Sequence, residues 1–108
     1  MRAISRDEPQ RVAKAVTGAI LGCGGWVLSR SATDTGLVAI LFEFERGSCL
    51  EIYSVLIAAG LQLSHKAHIR FTELCQCTRL RGAACNEEII SIELEIRTLH
   101  VGAEETTL

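Results

Sequence analysis

Cys75-Gln76-Cys77 is the tightest pairing of chemically capable side chains in the chain, and Cys85 follows it. On a strand these two thiols share a face. A structural zinc site takes four ligands in tetrahedral array, commonly from C-x2-C knuckles. The spacing here is C-x-C, and only His65, His68 or His100 could complete a set. It also differs from the C-x-x-C of thioredoxin-like redox motifs. The plainer reading makes Cys75 and Cys77 small core residues, as free cysteine usually is. No metal is assigned, and Cys75, Cys77 and Cys85 are the candidates if one binds. His65 and His68 stand three apart, which shares a face on a helix and splits faces on a strand.

Glu43, Glu45, Glu93 and Glu95 form a second group. Paired carboxylates serve general acid–base chemistry or a hard cation. The simpler role is to keep an outer sheet face wet. Residues 65–82 add Lys66, Arg70, Arg79 and Arg81, and residues 83–95 are acidic. Paired as strands, the two segments would set opposite charges across from one another. Glu43, Glu45, Arg70, Glu93 and Glu95 are the candidate polar site. Gly22-Cys23-Gly24-Gly25 falls at a helix end, the wrong pole for phosphate. No catalytic residue and no cofactor are assigned.

Composition narrows the classes. Hydrophobic residues make up 48% of the 108 and charged residues 22%, with a formal charge of −2 and a pI of about 5.9. One globular domain is expected. No global field attracts nucleic acid or an anionic membrane. An RNA-reading sheet needs exposed aromatics, whereas Phe42, Phe44 and Phe71 fall in the apolar phase. No run reaches the ~18 apolar residues of a membrane span. Residues 1–9 carry no apolar signal core, so a reducing, cytoplasmic setting and free thiols are expected. Five cysteines, an odd number, fit a closed disulfide framework poorly.

These residues need elements to position them. Asp7 and Gln10 can form a capping box, with Pro9 in the first turn. Val12, Val16, Ala19, Ile20 and Cys23 make a helical stripe, and Gly24-Gly25 stops it. Gly18 and Gly22 imply that this helix lies close on a sheet. Residues 26–33 and 37–46 read as strands around the turn Asp34-Thr35-Gly36. Val38, Ile40, Phe42 and Phe44 face the core, while Leu37, Ala39, Leu41, Glu43 and Glu45 face out. Ser48 caps a second helix with a stripe of Leu50, Tyr53, Leu56 and Ile57, ended by Gly60. Residues 61–64 are extended. Residues 66–78 fit both a helix and a strand, and the longer alternation favours strand. Residues 80–88 read as loop and 102–108 as a frayed tail. Residues 89–99 are the clearest strand, with Ile90, Ile92, Leu94 and Ile96 inward.

The two halves look alike. Leu21, Gly25, Leu28, Ser29 and Ala32 match Leu56, Gly60, Leu63, Ser64 and Ala67, and Ile40, Glu43 and Glu45 match Ile90, Glu93 and Glu95. Each half, about 7–46 and 48–101, reads helix–strand–strand. The expected fold is an α+β two-layer sandwich: a four-stranded antiparallel sheet with two helices on one face, built as a tandem αββ repeat within a single domain. This resembles the ferredoxin-like sandwich of ACT-type regulatory domains in circularly permuted order, with the first strand moved to the end. The outer face mixes apolar and acidic residues, and Leu37, Ala39, Leu41 and Leu74 are its candidate interface. That face, without a catalytic constellation, points to a non-catalytic ligand-sensing or protein-interaction module acting as a homodimer. Its expected partners are a second copy and a small-molecule ligand, with no nucleic acid or membrane. The alternatives are a small enzyme using the repeated glutamates or Cys75 and Cys77, or a metal- or nucleic-acid-binding adaptor.

Overall fold

A strand precedes the first helix. The computed structural model describes residues 1–81 and 87–99, with side chains through Gln76 and again from Glu87. In order, the elements are β1 (Arg2–Ser5), α1 (Pro9–Gly22), β2 (Trp26–Ala32), β3 (Leu37–Glu45), α2 (Cys49–Ala58), β4 (Gln62–Leu63), α3 (His65–Arg81) and β5 (Ile89–Thr98). A 3-10 turn, Arg46–Ser48, joins β3 to α2. The strands form one five-stranded sheet in the order β2-β3-β5-β1-β4. β1 runs parallel to β5, and the other neighbours are antiparallel. The α+β class is as expected, but the sheet is mixed and has five strands rather than four antiparallel ones. Arg2–Ser5 was hidden because four residues ending in Ala, Ile and Ser are too short to declare an alternation, although Ala3 and Ser5 are buried.

The core lies between the sheet and the helices. Val38, Ile40, Phe42 and Phe44 of β3 pair in register with Ile96, Leu94, Ile92 and Ile90 of β5. Their side chains meet Val12, Val16 and Ile20 of α1, Ile52 and Leu56 of α2, and Ala67 and Phe71 of α3 in one buried cluster. Each fully buried side chain of this size contributes about 1.5–3 kcal/mol. Three helices, not two, line this face.

The segment expected as a strand is α3, which removes the tandem αββ repeat. Helical spacing wins there for physical reasons. Ala67, Phe71 and Cys75 recur every four residues on the packed side, whereas Ile69, inward in the strand reading, is 45% exposed. Ser64 caps the start, its Oγ accepting the Ala67 N–H at 3.1 Å. Lys66, Arg70, Glu73, Leu74 and Gln76 are all good helix formers. Residues 80 and 81, expected as the start of a loop over 80–88, belong to α3. Residues 82–86 and the expected tail, 102–108, lie outside the described residues.

Smaller corrections follow the same logic. Glu8, not Asp7, is the N-cap of α1; Asp7 Oδ1 accepts the Glu8 N–H at 2.8 Å. The buried side of α2 is Cys49, Ile52 and Leu56, while Leu50 and Ile57 point outward. Gly18 and Gly22 face open space, so no close approach requires them. The tight spot is Gly25, where an added Cβ would stand 2.9 Å from Ile20 Cγ2 and 3.0 Å from the Glu43 carbonyl oxygen. Gly24, Gly36 and Gly60 do adopt positive φ at the expected stops and turn.

Candidate functional site

The sheet face away from the helices is ordered by register. Leu37 stands opposite Arg97, Ala39 opposite Glu95, Leu41 opposite Glu93 and Glu43 opposite Ser91. β2 sets Trp26 beside Glu43 and Ser29 beside Leu41. β1 sets Arg2 beside Glu95 and Ile4 beside Arg97. Leu37 is 40% exposed and Ile4 37%. Ala39, Leu41 and Glu43 are half-buried; Glu45, Glu93 and Glu95 are exposed. Trp26 Nε1 donates to Glu43 Oε1 at 3.0 Å, which ties the indole to the face. The face is graded: Glu45, Glu43 and Glu93 lie toward the start of β5, Arg97 lies toward its end, and Glu95 and Arg2 stand side by side between them. Among the described residues Glu93, Glu95, Arg2 and Arg97 make no ion pair.

Sequence reasoning placed Leu37, Ala39 and Leu41 together correctly, but Leu74 belongs elsewhere. It lies on α3, half-buried against the core. Arg70 also moves to α3. Arg70 and Glu93 both line a cleft of about 830 Å³, with Arg2, Ser64, Lys66 and Ser91. Glu43 and Glu45 line neither that cleft nor its neighbour, so the five polar candidates do not converge. The neighbouring hollow, about 610 Å³, is on the open face and includes Ile4, Leu37, Gln62, Glu95 and Arg97. β1 pairs with β5 only from Glu95 onward, so no described strand lies along that edge of Ile89–Glu93.

The cysteines form a pairing that the sequence did not announce. Cys75 Sγ lies 3.5 Å from Cys49 Sγ, between α3 and the first residue of α2. Cys49 is fully buried and Cys75 half-buried. Burial, then the hydrogen bond and proximity of Cys75, push the Cys49 thiol up to about 12, against a smaller lowering by Arg46. Arg46 is itself buried, its Nε donating to Glu88 Oε2 at 2.9 Å. Cys75 and Cys77 lie on a helix, so the strand alternation behind their shared face is gone; the Cys77 side chain and all of Cys85 lie outside the described residues. The helical reading of residues 66–78 was the signal that would have brought Cys75 toward Cys49.

His68 Nδ1 lies 2.6 Å from the Tyr53 hydroxyl, and Tyr53 stacks on Phe71 with centroids 5.2 Å apart. His65 is exposed at the cleft. Among the described residues no three His, Cys, Asp or Glu side chains gather around a metal position. No described helix is long and apolar enough to cross a membrane. Comparison with family models, with curated proteins and with solved structures finds no match.

Proposed function

We propose that the chain is a non-catalytic interaction module that pairs with a second copy of itself through the open face of its sheet. The observation that carries this is the grading of that face. Leu37, Ala39 and Leu41 of β3 run beside Arg97, Glu95 and Glu93 of β5, with Glu43 and Glu45 beyond Leu41, so the strip is acidic at one end and ends on Arg97 at the other, Arg2 standing beside Glu95. A two-fold axis through the strip lays each acidic end on the partner's Arg97 end, so the surface is self-complementary. Two sheets stacked in this way would enclose the apolar patch at the usual spacing of about 10 Å.

Sedimentation of the untagged protein tests the proposal. A dimer that Leu41→Glu converts to a folded monomer is expected. A wild-type monomer, or a dimer indifferent to Leu41→Glu, overturns it.

A small-molecule sensor is the second reading. The 830 Å³ cleft favours it, because that volume is in the range of ligand sites and Arg2, Lys66 and Arg70 line it. The ligand class would be a small anion. A thermal-shift screen of carboxylates and phosphates checks this, with Arg70→Ala abolishing any hit.

A further inference from the structure

We propose that Cys49 and Cys75 are a modification site, a thiol pair that a low-molecular-weight disulfide oxidises to an internal disulfide joining α2 to α3. The sulfurs stand 3.5 Å apart. A disulfide needs about 2.05 Å, so the sulfurs have about 1.5 Å left to close. The two residues lie 26 positions apart in sequence, and each sits on a helix held in the core cluster. The approach is therefore built into the packing of the helices.

Exposure sets the order of the chemistry. Cys75 is the half-buried member, and Cys49 is fully buried. A solution disulfide, R–S–S–R, reaches Cys75 first. The Cys75 thiolate attacks one sulfur of the reagent; the reagent's S–S bond breaks, and R–S⁻ leaves and takes a proton. Cys75 then carries a mixed disulfide. Cys49 gives up its proton, its sulfur attacks Cys75 Sγ, and the second R–S⁻ departs and is protonated. Two protein thiols are oxidised to one disulfide, and one reagent disulfide is reduced to two thiols. Burial keeps the Cys49 thiol protonated and Arg46 offsets this only in part, so the second displacement is the slower step and quickens as pH rises.

The product ties the start of α2 to the middle of α3. The loop it closes raises the unfolding midpoint by several degrees. The open sheet face lies on the far side of the sheet, so the two proposals are independent.

Incubation of reduced protein with oxidised glutathione tests the site. Intact-mass analysis should show loss of two hydrogens without a retained adduct, and peptide mapping should place the link between Cys49 and Cys75. Cys49→Ser should instead retain one glutathione on Cys75. Phenylarsine oxide, which bridges adjacent thiols, should bind one equivalent that either Cys49→Ser or Cys75→Ser abolishes. A lasting glutathione adduct on wild-type Cys75, or a link mapped to another cysteine pair, overturns the proposal. If a serine variant fails to fold, peptide mapping of the wild type alone decides.

Discussion

Two glycines, Gly18 inside α1 and Gly25 just past its end, make opposite demands. Gly25 has no room for a Cβ, which would meet Ile20 and the β3 backbone at Glu43. Gly25→Ala should cost about 1–3 kcal/mol in denaturant unfolding. Gly18 is exposed in α1, and a Cβ there meets nothing within 4 Å. Gly18→Ala should stabilise by about 0.5–1 kcal/mol. The sequence argued the reverse for Gly18, because composition reveals a glycine but not which way its Cα faces. Cys49 carries a prediction in pH. Its thiol ionises near 9 when unfolded and near 12 when folded. As pH rises, the unfolded chain loses this proton first, so stability is whole below 9 and falls between 9 and 12. The advantage of wild type over Cys49→Ala in denaturant unfolding should shrink on moving from neutral pH to pH ~10. An advantage that is constant or growing would contradict the assignment of burial as the cause.

α3 shows what periodicity alone resolves. Its apolar residues at 67, 71 and 75 satisfy both a period of two and a period near four, so the pattern could not choose. The cap at Ser64 chooses, together with helix-forming residues between the apolar positions. Ser64→Ala should cost about 1 kcal/mol. Phe71 is fully buried and stacked on Tyr53, and Phe71→Ala should cost about 3–5 kcal/mol by thermal or chemical unfolding. As a strand residue in an edge pairing, it would cost less. β3 and β5 were legible throughout, because alternation sustained over nine residues in each admits one reading. β1 was not, since four residues are too few to declare a period, whereas β4 falls inside the extended run read at residues 61–64. The outer-face residues split the same way: Leu37, Ala39 and Leu41 share one side of β3 as the alternation implied, and Leu74 went with the helix.

Across the whole molecule, the sheet is covered on one side and graded in charge on the other. If the open face pairs as proposed, attraction between its acidic and basic ends is screened as ionic strength rises, with a Debye length of about 10 Å at 0.1 M salt. The dimer should weaken between low and high salt while monomer unfolding is little changed; sedimentation at both ionic strengths checks this. The strand order has another consequence. β5, the last strand of the described chain, lies in the middle of the sheet, between the β2–β3 hairpin and the β1–β4 pair. Residues 2–5 find their β5 partners only at residues 95–98. Until β5 is made, the sheet is two fragments with no strand in common and β3 has a bare edge. Such long-range closure slows folding and leaves the nascent chain open to wrong edge pairings. Synthesis must therefore pass Thr98 before the whole sheet can assemble, and until then the edges of β1 and β3 that β5 will join are open.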